Sequence, residues 1–447
     1  MKKYLITITA FCFGVLLINA QNTINNSSVE DFNVDGIKVI LKHSPKEVIS
    51  VNLFINGGTA NYAKEQEGIE NFALNLALTG GTTSLDKNEF SNETNKIGTV
   101  ISANTDYDYG QITLRCVKQF WDESWNLYTD AILNPTFDEE QYQILKDQLI
   151  NGAKQTESNP DNQLRNLAMS NVFAGKNYSK IPAGTAESLE KLSLEDVKSY
   201  YNNLIGKKRV FVVVAGDISK DDITQKIKSS LASLPEGSEP DVEGSITIDQ
   251  PTNLIEDRDI ATNYIRGYMN APKLDSKEGV SMMIAMRILR MRLFVEIRTK
   301  RGLSYAPSAS YANGIVNNPY NFIYVSTTDP KQSIEVMVNE IDKLRSEGYT
   351  EKELIDIKQS FLTTHYMGLE TMSSQSNNLG TAELKGNWQM AEDFANIVND
   401  ITLDDINDAM KKYAGTISWT YLGKEDMIND DDFLQPKEIE NEVPIKD

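Results

Sequence analysis

The chain repeats itself at long range, and this limits its fold more than any local pattern does. Residues 192–197 (LSLEDV) open a helical stretch that leads into the apolar run 210–214, and ITLDDI at 401–406 opens another ahead of a run at 416–422, about 209 positions later. FDEEQYQILKDQL from Phe137 is matched by YTEKELIDIKQSF from Tyr349, about 212 positions on. Two markers at nearly one offset mean duplication. A repeat of roughly 200 residues is a domain rather than a solenoid unit, and 447 residues exceed what one hydrophobic core usually serves. Two tandem domains of one fold are therefore expected, at 21–234 and 245–428. The stretch 235–244 (PEGSEPDVEG), rich in Pro, Gly and acid, joins them. The acidic residues 429–447 form a loose tail.

In the first half, 36–42 and 48–55 alternate like two strands of a hairpin, followed by a turn at Asn56-Gly57-Gly58. Ile69, Phe72, Ala73 and Leu76 then lie on one face of a helix over 68–78 that stops at Gly80-Gly81. Further helices are expected at 87–97, 121–133, 138–153 and 194–204, and strands at 100–104, 111–116 and 210–214. The polar stretch 22–33 is a loose arm. Strand pairs with helices grouped beside them define an α+β class: two homologous domains, each an antiparallel sheet covered by helices.

Lys2 and Lys3, the apolar stretch 4–17 and Ile18-Asn19-Ala20 have the layout of a secretory signal cut after Ala20, so export to the periplasm or beyond is expected. The apolar part is too short to span a membrane. Of the two cysteines, cleavage leaves only Cys116, which makes an intrachain disulfide impossible and fits a small core residue. A net charge of −20 argues against nucleic acid and anionic lipid as partners. The two histidines, His43 and His365, fall in different halves and suit ordinary surface or core roles. No phosphate loop, nucleophile elbow or CxxC pair is present.

One stretch in the second half stands out. Ile284, Ile288, Met291 and Val295 follow helical spacing through 284–301, Gly302 marks a stop, and alternation from Leu303 to Ser308 predicts a strand carrying Tyr305 on one face. Arg298, in the last helical turn, could then converge with Tyr305. By spacing alone, Arg298 could equally neutralise the helix end while Tyr305 is half-buried core.

The segment LFVEIRTKRGLSY (293–305) resembles the L(F/R)xxLRxxxGLxY element of the pitrilysin/insulinase family of zinc metallopeptidases, with Ile297 in place of a Leu. In that family its Arg and Tyr bind the substrate backbone and stabilise the tetrahedral intermediate. The resemblance implies that Arg298 and Tyr305 do so here. Active members also carry HxxEH in a context like GxAHFLEHMxFxGT, where two imidazoles bind zinc and the Glu takes a proton from water. Here that context reads GIENFALNLALTGGT (68–82), with Asn71, Leu74 and Asn75 in place of His, Glu and His, and Gly152 at the third-ligand position. The chain departs again in AMRILRMRLF (285–294), where members usually have a Gly-rich loop.

The resemblance thus implies a chain that binds no cofactor itself. It would serve as the non-catalytic subunit of a zinc endopeptidase, giving Arg298 and Tyr305 to a homologous HxxEH partner that brings the zinc, with an unfolded peptide as substrate. A stand-alone pseudopeptidase that holds extended peptides, and a plain scaffold, are the alternatives.

Overall fold

A computed structural model describes residues 29–312 and 314–438. The first half supplies strands β1 (Val29–Val34), β2 (Ile37–His43), β3 (Val48–Asn56), β4 (Val100–Thr105), β5 (Tyr109–Val117) and β6 (Val210–Gly216), in the order β1-β2-β6-β3-β5-β4. The second supplies β7 (Asn253–Asp257), β8 (Asn263–Asn270), β9 (Ser308–Tyr311), β10 (Tyr320–Thr327) and β11 (Ser418–Gly423), in the order β7-β11-β8-β10-β9. With β1 set aside, the two orders match strand for strand. Each sheet is antiparallel except for one parallel pair, β2 with β6 and β7 with β11.

Two strand expectations are corrected. β2 and β3 are not a hairpin, because β6 lies between them and pairs with both. The true hairpin is β1 with β2, closed by Asp35 and Gly36 at φ 49° and 93°. Both residues of this two-residue turn take positive φ, which Asp-Gly tolerates well. Residues 29–33 are thus an edge strand rather than part of a loose arm.

Helices α1 (Ile69–Thr79), α2 (Lys87–Lys96), α3 (Trp121–Leu133), α4 (Glu139–Ser158), α5 (Pro160–Val172), α6 (Ala186–Lys191), α7 (Leu194–Leu204) and α8 (Lys220–Lys228) belong to the first half. The second half contributes α9 (Lys277–Leu293), α10 (Pro330–Glu347), α11 (Glu351–Gly368), α12 (Met372–Leu384), α13 (Gln389–Asp400) and α14 (Leu403–Tyr413). The repeated sequence markers are helix caps. Ser193 with Asp196 and Thr402 with Asp405 form matching capping boxes at the starts of α7 and α14. Thr350 and Glu353 form another capping box at α11, and at the matching start of α4 the Asp138 side chain caps alone, accepting from the Gln141 N–H.

The halves exchange helices. One face of the first sheet is covered by its own helices, but Ile40, Phe54, Phe211 and Val213 on the other face pack on Leu379 of α12 and on Trp388 and Ala391. In return, α5 lays Ala168 and Met169 against Tyr268 and Tyr320 of the second sheet. Gly380 is needed for the close approach of α12: a Cβ there would lie 1.9 Å from the Phe54 ring, which is itself stacked on Phe211 at 4.9 Å. A polar tie accompanies this contact, with Asn52 Nδ2 donating to Ser376 Oγ at 2.8 Å. A second tie centres on the buried Asp108 of the β4–β5 turn. Its carboxylate accepts from Tyr178 Oη (2.5 Å to Oδ2), from the backbone N–H of Val316 (2.9 Å) and from Asn317 Nδ2 (2.7 Å). Burial raises this carboxyl above its usual range, and the surrounding donors pull it back.

Residues 235–252 contain no helix or strand and are tied to both halves. Arg209 Nη2 donates to Ser238 Oγ at 3.1 Å, and the N–H of Ile248 donates to Asn270 Oδ1 at 2.7 Å. The expectation of a loose tail is corrected for 429–438. Phe433 is buried, Trp419 Nε1 donates to the Leu434 carbonyl at 2.9 Å, and the Gln435 amide bonds both backbone groups of Ile417. The expected signal at 1–20 lies outside the described residues. Among the described residues no helix is long and apolar enough to cross a membrane.

Glu70, on α1, is 1 % exposed. Oε2 accepts from Tyr200 Oη at 2.6 Å and Asn61 Nδ2 at 3.0 Å, whereas Oε1 has no partner and faces Gly110, where a Cβ would come within 2.6 Å of it. Burial pushes the carboxyl up to about 7, against the pull of Tyr200 and Asn61.

Two outcomes are expected. Gly380→Ala should lower the stability of the whole chain by roughly 1–3 kcal/mol through overpacking against Phe54; an unchanged urea midpoint would show that α12 does not seat there. Between the ordinary carboxylate range and about 7, Glu70 holds a proton in the folded state that the unfolded chain has released, so its contribution to stability falls as pH rises through that window. Glu70→Gln cannot titrate. The stability difference between parent and variant should therefore shift by about 2–3 kcal/mol between pH 5 and 8, in favour of the variant at pH 8. A pH-independent difference would rule out titration of Glu70 in this window.

Candidate functional site

Two cavities hold four of the residues singled out in the sequence, Asn71 and Gly152 in one and Arg298 and Tyr305 in the other, while Leu74 and Asn75 line neither. The first lies between α1, α4 and α5 in the first half. Phe72 stacks on Tyr142 of α4 at 5.3 Å with the rings nearly parallel, which fixes α1 against α4. Asn71 and Gly152 thereby come to line one cavity of about 240 Å³, together with Thr156, Glu157 and Asn166. Asn71 of α1 and Gly152 of α4 thus face a common space. A side chain at 152 would enter open space.

The chemistry of this cavity does not suit zinc. Asn75 Nδ2 donates to the Asn71 carbonyl at 2.8 Å and to Asn71 Oδ1 at 3.0 Å, so the Asn75 amide is held along the helix by Asn71. Leu74 is fully buried in the core, close to Gly110. Amides are weak zinc ligands, and neither Leu nor Gly supplies a base or a ligand. Among the described residues there is no group of three His, Cys, Asp or Glu side chains that could hold a metal ion. His43 is exposed, and His365 lies against Phe394 at 4.6 Å, where burial lowers its basicity. Cys116 is a core residue whose thiol burial pushes up to about 11, the opposite of what a nucleophile needs.

The second cavity, of about 470 Å³, contains Arg298 and Tyr305. The helix that leads to it changes character. α9 passes at Phe294–Thr299 into a π-helical turn, with the Lys300 N–H donating to the Val295 carbonyl at 2.9 Å, and Gly302 ends it at φ 66°. The buried stripe ends on Leu289, Leu293 and Ile297 instead of the expected Met291 and Val295, which are 60 % and 43 % exposed. Tyr305 is not on a strand. It lies in a bend ahead of β9 and is 78 % exposed, so the expected strand face is corrected.

Arg298 and Tyr305 nevertheless converge. The guanidinium stacks over the Tyr305 ring at 4.1 Å and the Phe294 ring at 4.9 Å, and Nη1 donates to the Tyr305 carbonyl at 3.0 Å. One arginine thus holds both ring and backbone of a tyrosine that stays exposed. Neither the helix-end role nor the half-buried role accounts for a tyrosine this exposed. Sequence inspection missed Arg266, Arg290 and Tyr324, which share the cavity. Arg266 occupies an alternating position of β8, and its charge in a strand was the one available signal.

Comparisons with known proteins place this architecture. Residues 38–186 match the pattern of the family described as insulinase (peptidase family M16), and 191–361 match that of the peptidase M16 inactive domain. An uncharacterized zinc protease of Rickettsia felis is 24% identical over 89% of this chain and 99% of its own length. A non-peptidase homolog, YmxG, of Helicobacter pylori is 23% identical over 92% and 96%. The crystal structure of a peptidase M16 inactive domain from Pseudomonas fluorescens has the same fold, with a TM-score of 0.80 and 17% identity over 89% of this chain and 98% of that one. With duplicated sheets of one topology and family patterns matched in both halves, the chain belongs to the M16, or insulinase, family of peptidases.

Proposed function

We propose that this chain is the non-catalytic subunit of an exported M16 endopeptidase, giving Arg298 and Tyr305 to a site whose zinc is carried by a homologous HxxEH partner, with unfolded peptide as substrate. The observation that carries the proposal is the contrast between the two cavities. At the zinc positions Asn71, Leu74, Asn75 and Gly152 offer no ligand set, while Arg298 and Tyr305 are pre-arranged and open. Phe294, Val295 and Met291 beside them are exposed as well, an apolar patch that a second surface would cover.

At a peptide carbonyl, the Tyr305 hydroxyl and the free N–H groups of Arg298 would act as donors to the negative charge that develops on oxygen. Donors held in place before the reaction contribute most, because nothing reorganises as the charge appears. The stacking of Arg298 on Tyr305 supplies that rigidity.

The chain alone is expected to bind no stoichiometric zinc and to hydrolyse no peptide; metal analysis finding one tightly held zinc per chain would overturn this. In the mixed dimer, Tyr305→Phe should lower turnover by roughly 10²–10³ while leaving assembly and zinc content unchanged, since the ring still packs on Arg298. Arg298→Ala should do similar damage and weaken peptide binding too, because it also frees the Tyr305 backbone. Full turnover in both variants would leave peptide holding or scaffolding as the better account.

A further inference from the structure

The cavity beside Arg298 and Tyr305 gathers three arginines. In a chain of net charge −20, Arg266, Arg290 and Arg298 all line it. Among the described residues no carboxylate lies within ion-pair distance of any of the three; in the same half Arg258, Arg292 and Arg301 have such partners, while Arg287, on a different cavity, has none. The one carboxylate on the cavity wall, Asp161, accepts a hydrogen bond from Tyr324, the cross-strand neighbour of Arg266.

A bland explanation is that these arginines only pack on aromatic rings. Arg266 does lie over Phe322 at 4.1 Å and over Tyr268 at 5.4 Å. Stacking, however, occupies the face of a guanidinium and leaves the N–H edge in need of acceptors. The Nε of Arg266 is buried without any partner. Leaving a charged donor unpaired in a partly desolvated cavity costs stability, so the arrangement makes sense where an anionic group completes it.

We infer that this cavity receives an acidic side chain of the bound peptide, carboxylate to guanidinium, with Arg266 and Arg290 as the residues that select it. The inference deepens the complementing-site proposal and rests on it for the presence of a peptide at Arg298 and Tyr305. A peptide rather than a small free anion is favoured by the walls. Phe294, Phe322 and Tyr324 offer apolar planes for a side-chain stem, and the cavity opens beside β9, the edge strand of the second sheet, where an extended chain can lie.

The test uses the full chain without a partner. Two labelled peptides of one length, one with Glu and the other with Gln at the same positions, are titrated by fluorescence anisotropy. The Glu peptide should bind about tenfold tighter at low salt, a gap that added salt narrows. Arg290→Gln, at an exposed position, and Arg266→Gln should each reduce the gap and leave the Gln peptide unaffected. Equal binding of the two peptides, no measurable binding of either, a gap untouched by both variants, or displacement of the Glu peptide by low concentrations of inorganic phosphate would each overturn the inference. The two proposals can fail separately. Equal binding alongside a mixed dimer that still depends on Tyr305 removes only the acid preference, whereas tighter Glu binding with turnover indifferent to Tyr305 removes only the complementing site.

Discussion

The structure depends on each half sealing the other's sheet. A sheet with two apolar faces needs cover on both, and the local helices supply only one layer. The second layer is borrowed: α12 lies on Phe54 and Phe211 of the first sheet, and α5 lies on Tyr268 and Tyr320 of the second. This explains why β6 is buried along its whole length, why Gly380 sits where any side chain would strike an aromatic ring, and why a carboxylate as buried as Asp108 is kept at the seam. Asp108 has enough donors from both halves to be satisfied only when they are docked. The geometry of both cavities follows from this docking, because α5 lines the first with Asn166 and the second with Asp161.

Much of the fold was legible in the sequence because its cues are local. Caps such as Ser193 and Thr402 fix helix starts through hydrogen bonds within four residues, so α7 is found at its expected limits, and α3, which has no side-chain cap, is bounded by its own apolar periodicity and the Asn134-Pro135 stop. Duplication was legible for the same reason, since it is the caps that repeat. What was missed is non-local. Nothing in 36–55 shows that a strand 155 or more residues on will part β2 from β3, and nothing near Gly380 names Phe54 as its neighbour. The order of residues 429–438 depends on Trp419 and Ile417, which no inspection of an acidic tail would bring in.

The site divides along the same line. The pairing of Arg298 with Tyr305 spans seven residues and a glycine stop, which is short enough to read. The π-helical turn was not foreseen, because a widened turn has no sharp composition signal; Arg298 within it stacks over the ring of Phe294 at its start. The approach of Asn71 to Gly152 was expected only through the family resemblance. The cluster of Arg266 and Arg290 with Arg298 joins a strand to a helix end and could be seen only in three dimensions.

The borrowed cover has a consequence for the order in which the chain can mature. A ribosome delivers the first sheet long before residues 372–384 emerge, so the face bearing Ile40, Phe54, Phe211 and Val213 must wait, uncovered, through most of synthesis. The first half therefore cannot finish folding as an independent unit. The nascent chain stays incomplete and sticky until α12 is made, which leaves a long interval for a chaperone to hold it and a premature stop anywhere before α12 with an aromatic sheet face open to aggregation.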